Sequence, residues 1–186
     1  MVKDSEEAKR VLKGIFTGLK RDGRFIPTSN QDQNYNCIAW AMRLSDRWVD
    51  TKKTAGHWWP SEITQHSFTQ QGLIDAFKAL KFVETTNPKP ERGYDKVALY
   101  YNPYTNCWSH AARVLEEHLY HSKIGGLWDI HHSDGKVMHI CDPRGTYGFV
   151  YAYVKRPKFL RLYSLYLSMK LMGDKIVNEF RALFYF

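Results

Sequence analysis

No apolar run in the 186 residues reaches the roughly 18–20 needed to cross a bilayer as a helix. The opening stretch, MVKDSEEAKRVLKGIFTGLK, is charged throughout and lacks the apolar core of a secretory leader. Cysteine is scarce. Cys37, Cys107 and Cys141 are an odd set with no Cys-x-x-Cys spacing, which excludes a disulfide framework and points to a reducing, cytoplasmic setting. Repeats and low-complexity tracts are missing too, so a solenoid is excluded. Acidic excess is also absent. The formal charge is +8, and seven basic against two acidic residues from Lys155 onward account for five of it. The basic character therefore belongs to the C-terminal segment, and no nucleic-acid surface is expected on the main body.

What the chain does hold is aromatic side chain, 15% of it, with six Trp and twelve Tyr. That suits a dense core or a groove that grips a ligand. The length allows one domain with a sizeable core. Ala8, Val11, Leu12, Ile15, Phe16 and Leu19 recur at the spacing of one helical face, after Glu6 and Glu7 in a first turn. Residues 21–36 read as loop. A second helix is expected in CIAWAMRLSDRW, capped by Asn36, with Cys37, Trp40, Ala41, Leu44 and Trp48 on one face. TQQGLIDAFKALKF supplies a third.

After Asp95 the texture changes to short β-type runs: KVALYY, HAARVL, LYHSKI, KVMHIC and FVYAYV, separated by turn clusters. Helices first and strands afterwards predict an α+β domain with an antiparallel meander, spanning residues 1–157. Residues 158–186 form a basic, aromatic-rich tail with helical patterning. It reads as a helix that covers a sheet edge or a dimer face, or as one that lies on a membrane surface.

The chemistry centres on QDQNYNCIAWAM, residues 31–42, where a polar run turns into an apolar helix at a cysteine. A thiol near pKa ~8.5 is a weak nucleophile at neutral pH until something stabilises its thiolate. The first turn of a helix does so, through unpaired N–H groups. Gln31, Gln33 and Asn34 offer amide donors for a developing oxyanion. Equally, Cys37 lies on the apolar face with Trp40 and Leu44, where free cysteine is usually core. Both readings stand at this point. A nucleophilic cysteine needs a histidine close in space, and His110 follows a turn and opens the strand HAARVL.

The ordered blocks NYNCIAWA, WWP, GYDKVALYY, SHAARVL, HSKIGGLWDIHH and YGFVYAYVKRP resemble a bacterial domain family of unknown function, number 7689, from about Gln31 to Pro157. That family is similar in layout to the NlpC-type and CHAP-type cysteine peptidases of the papain-like fold. The resemblance implies a papain-like core, with Cys37 as nucleophile and His110 as base. It also implies an orienting residue on the following strand, Ser122 or Asp129. The activity it implies is hydrolysis of a peptide or isopeptide bond, with deamidation or acyl transfer on the same machinery. A peptide or protein is the expected partner, and no cofactor is. The competing reading is an inactive member of the fold that serves as a binding or inhibitory module.

Trp58 and Trp59 read either as the wall of a substrate groove or as a plug between helix and sheet. Lys123 reads either as a binder of an acidic substrate group or, more simply, as a solvated strand-end lysine. His118, His121, His131, His132, His139, Cys141 and Asp142 are metal-ligand types without the spacing of a known site, and no metal role is assigned to them.

Overall fold

A computed structural model describes residues 5–51, 57–63, 67–116, 119–138 and 147–159. In chain order these form α1 (Ser5–Ile15), a 3-10 turn (Thr17–Lys20), β1 (Ile26–Pro27), α2 (Cys37–Met42), β2 (Trp48–Val49), β3 (His57–Trp58) and α3 (Gln70–Ala79). Then follow β4 (Val83–Thr85), β5 (Tyr94–Asn102), β6 (Cys107–Val114), β7 (Tyr120–Lys123), β8 (Asp129–His132), a 3-10 turn (Gly135–Met138) and β9 (Phe149–Pro157). The fold is α+β. Seven strands make one antiparallel sheet in the order β1-β8-β7-β6-β5-β9-β4, and β2 and β3 form a short parallel pair.

Strand alternation assigns the two faces of the sheet. Val97, Leu99, Ala111 and Val154 pack with Ile38 and Ala39 of α2 and with Leu73 and Phe77 of α3. Ala98, Tyr100, Ala112 and Ile130 pack on the other face with Ala8 and Leu12 of α1, and with Phe16 and Leu19 just after it. Helices thus cover β5 from both sides, which is why VALY reads as a continuous apolar run instead of an alternating one. Each fully buried Leu or Phe contributes about 1.5–3 kcal/mol. Both halves of the core are therefore needed.

Four expectations are corrected. The second helix stops at Met42 because Arg43 takes the left-handed conformation (φ 71°) and turns its N–H back to the Ala39 and Trp40 carbonyls. Trp48 consequently lies in β2. Residues 21–36 are not all loop, since Ile26 and Pro27 pair with His131 and Ile130. The described part of KVMHIC is a 3-10 turn, and the outer strand of the meander is instead β8, whose polar sequence Asp-Ile-His-His carries little strand signal. The meander is also interrupted: β9 returns to lie beside β5, and β4 pairs with β9. The tail expected to be helical falls almost wholly in residues 160–186, outside the described residues. No helix among the described residues is long and apolar enough to cross a membrane.

Two irregularities sit near His110. Between Tyr100 and Tyr101 the β5–β6 register slips, leaving Ser109 as an extra residue, and Ser109 donates its hydroxyl to the Tyr147 carbonyl at 2.5 Å. Such bulges re-aim neighbouring side chains. Gly148 enters β9 with φ +72°, where a Cβ would fall 2.0 Å from the Tyr101 carbonyl oxygen, so only glycine fits.

Candidate functional site

Asn36 sets the start of α2. Its side-chain oxygen accepts the Ala39 N–H at 3.0 Å, and its amide donates to the Val49 carbonyl at 2.8 Å, tying the helix start to β2. Cys37 follows in the first turn, 8% exposed. The N–H groups of Ala111, Ile38 and Cys37 itself favour a thiolate here, as does the Lys123 charge. Burial outweighs them and pushes the thiol up to about 11. The resting side chain is therefore a neutral thiol with amide donors already arranged around its sulfur.

His110 is wholly buried on β6. Its ring stacks on Tyr147 (centroids 3.9 Å, planes 3° apart) and meets Tyr100 edge-on. Nε2 lies 3.0 Å from Ser122 Oγ, which lies 2.8 Å from His132 Nε2; His132 Nδ1 is 2.8 Å from the Asp134 carbonyl. These distances fix the protons. A carbonyl only accepts, so His132 carries its hydrogen on Nδ1, and burial holds it neutral by lowering its pKa to about 4. Its bare Nε2 must accept from the Ser122 hydroxyl. Ser122 has one hydrogen and has given it away, so His110 donates from Nε2. His110 Nδ1 is left as a bare lone pair, buried and without a partner among the described residues. Burial first, and then His132, hold the ring well below the usual histidine range.

Long-range nitrogen–proton NMR correlations on His110 are expected to show the Nε2–H tautomer, and Ser122→Ala should abolish that preference. An Nδ1–H tautomer in the unaltered protein would overturn the relay.

The structure places Cys37 near β6, where the N–H of Ala111, one residue from His110, favours its thiolate. The imidazole itself points to the α1 face: His110 pairs with Tyr100, whereas Ala111 packs beneath α2. No hydrogen bond joins Sγ and Nδ1 among the described contacts. Ser122 meets the histidine ring. Asp129, the other candidate, lies on the α2 face; it accepts the Tyr35 hydroxyl at 3.3 Å and stands 3.9 Å from Lys123 Nζ.

Lys123 is fully buried rather than solvated, because its ammonium donates to the Asp32 (2.7 Å) and Leu127 carbonyls and covers the Tyr35 ring. Asp129 and Lys123 thus pin the loop that delivers Cys37. Gln31 and Asn34 are exposed on that loop, with Asn34 N–H bound to Asp32 Oδ1 at 2.8 Å. Trp59 is core beside Cys37 and stacks on Trp108. Trp58 is half-buried under the Arg47 guanidinium.

Of the histidines considered for metal, His118 and His139 lie outside the described residues, as do Cys141 and Asp142. His121 and His131 face α2, where His121 meets Thr28 Oγ1 at 3.0 Å and the Trp40 edge. Among the described residues no three such side chains are grouped to hold an ion. His132 and Tyr147 complete the surroundings of His110; the sequence marked His132 only as a metal-ligand type and did not mark Tyr147. One signal was available: His132 and Ser122 occupy same-face positions on adjacent strands, but only once the β7–β8 register is known (Tyr120 opposite His132, Ser122 opposite Ile130).

The family model described as "Domain of unknown function (DUF7689)" matches residues 26–155, well over half of the chain. The chain belongs to that family. No curated protein and no solved structure matches it.

Proposed function

We propose that this member of the DUF7689 family performs thiol chemistry on an amide or ester carbonyl in a papain-like layout. Cleavage of a peptide or isopeptide bond is the leading reaction. The observation that carries the reading is the bare, buried Nδ1 of His110, one residue from the Ala111 N–H that favours the Cys37 thiolate. A lone pair kept unpaired costs stability, about 1–3 kcal/mol for a buried polar group. A lone pair kept unpaired one residue from the thiol's neighbour on β6 is available to serve as a general base.

With the thiol neutral at rest, attack and deprotonation occur together. Cys37 Sγ bonds to the carbonyl carbon as its proton passes to His110 Nδ1, and the oxygen's charge is held by backbone N–H groups at the α2 start. His110 then returns the proton to the departing nitrogen as the C–N bond breaks. Water attacks the thioester, giving up its proton through the same imidazole, and the thiol is restored. Ser122 holds the ring, and Gln31, Asn34 and Trp58 border the approach. The imidazole rests on the α1 face, so the reaction requires Nδ1 to be brought to the sulfur when substrate binds.

The second reading is a binding or inhibitory module that keeps this layout without turnover. It is favoured by the burial of Cys37 and by the imidazole's position on the α1 face. p-Nitrophenyl acetate separates the two. The thiol reading expects an acetyl thioester on Cys37, identified by peptide mass spectrometry, with acylation slowed about 100-fold or more in His110→Gln. A protein that forms no Cys37 thioester, or whose acylation ignores His110, is the binding module.

A further inference from the structure

At the far end of α2 from Cys37, a cavity of about 290 Å³ opens beside Arg43, Asp95, Arg113 and Lys158. Charge around it does not balance. Arg43 pairs with Asp95 at 3.0 Å, and Arg156 reaches the same carboxylate at 3.6 Å. Arg113, only 7% exposed, has no ion-pair partner among the described residues: its Nε (2.9 Å) and Nη2 both donate to the Trp40 carbonyl, and its plane lies 3.6 Å over the Trp40 ring. No described hydrogen bond uses its Nη1. Of the two guanidiniums that line the cavity, Arg43 therefore has an ion-pair partner and Arg113 has none among the described residues.

The other lining acids do not correct this. Glu91 is occupied by Lys96 and by Lys155 (2.6 Å), and Glu116 is exposed. Burial is costly for the Arg113 cation and the Arg43 charge adds to that cost, while Asp95 and Asp129 offset part of it without a direct ion pair.

We propose that this cavity binds a phosphate group, held by Arg43 and Arg113 with Lys158 at its mouth. Guanidinium forks match phosphate oxygens two at a time, and two guanidiniums with an ammonium at the mouth suit a dianion better than a single carboxylate. The volume lies at the bottom of the range for small-ligand sites (about 300–1,000 Å³), which admits one such group and not a nucleotide.

Calorimetric titration of the full chain with inorganic phosphate and with phenyl phosphate, against chloride at matched ionic strength, tests the site. Saturable binding is expected, weakened at least tenfold by Arg43→Gln and likewise by Arg113→Lys, and unchanged in Cys37→Ala. Tight binding of phenyl phosphate identifies the group as part of a monoester; binding of inorganic phosphate alone identifies the free ion. Either supports the site. Heat that chloride reproduces, or phosphate affinity that survives Arg43→Gln, overturns it. Arg43 is partly exposed and α2 ends there in any case, so that variant remains informative if Arg113→Lys fails to fold.

Discussion

Iodoacetamide at about pH 7.5 is expected to alkylate Cys37 in the folded chain roughly 300-fold more slowly than in the chain unfolded by urea. The reacting species is the thiolate, and an unperturbed cysteine ionises near ~8.5. Burial moves Cys37 up to about 11. That difference of about 2.5 pH units reduces the thiolate at neutral pH by roughly 300-fold. The logarithm of the folded-state rate should therefore climb with pH past about 10, the range in which the unfolded chain has already levelled off. Cys107, half-exposed at the start of β6, provides an internal comparison by peptide mapping. A plateau below about pH 8 would mean that a thiolate–imidazolium pair already exists at rest. The neutral-thiol description of the site would then be wrong, although thiol chemistry itself would gain support.

The folded state is also expected to lose stability steeply as the pH falls from about 7 to about 5. His110, His121 and His132 all have folded pKa values below the ordinary histidine value, each chiefly through burial. The unfolded chain takes up protons near ~6.5 that the folded chain refuses, so the unfolded state binds more protons between that value and the folded pKa. Stability is full above ~6.5 and is lost as the pH drops through that window. For His132, held at about 4, the loss by pH 5 is about 2 kcal/mol. His110 and His121 add in the same direction. Against a typical total of about 5–15 kcal/mol this is a large fraction. Asp129, raised mainly by burial, works the opposite way: it favours the folded state at low pH and loses that contribution as the pH rises through its folded value. Urea midpoints measured at several pH values test this, and His132→Asn should flatten the slope. A midpoint that stays constant from about pH 7 to 5 would show that these imidazoles titrate freely in the fold.

The outcome at each element follows from how local its cause is. Helices α1 and α3 and the Asn36 cap were legible because spacing and capping act within one or two turns. Strands β5, β6, β7 and β9 were legible as β-type runs, though not in their order. Strand β8 was not legible: its residues Asp129, His131 and His132 are polar, and pairing with β7 and β1 holds them in place. Lys123 looked solvated for the same reason. Its burial depends on the Asp32 and Leu127 carbonyls, which the fold brings together from far apart and from nearby.

The sequence alone determined that the chain is α+β, that Cys37 begins a helix, and that a histidine lies on a strand about seventy residues later. Periodicity, capping and residue chemistry need no distant partner. Only the tertiary structure decided the state of that pair. The burial that makes Cys37 a neutral thiol depends on Ala111 and the core around it. The face to which His110 points depends on register and on the bulge at Ser109. The tautomer that leaves its Nδ1 bare is set by Ser122, His132 and the Asp134 carbonyl, groups that become neighbours only when three strands align.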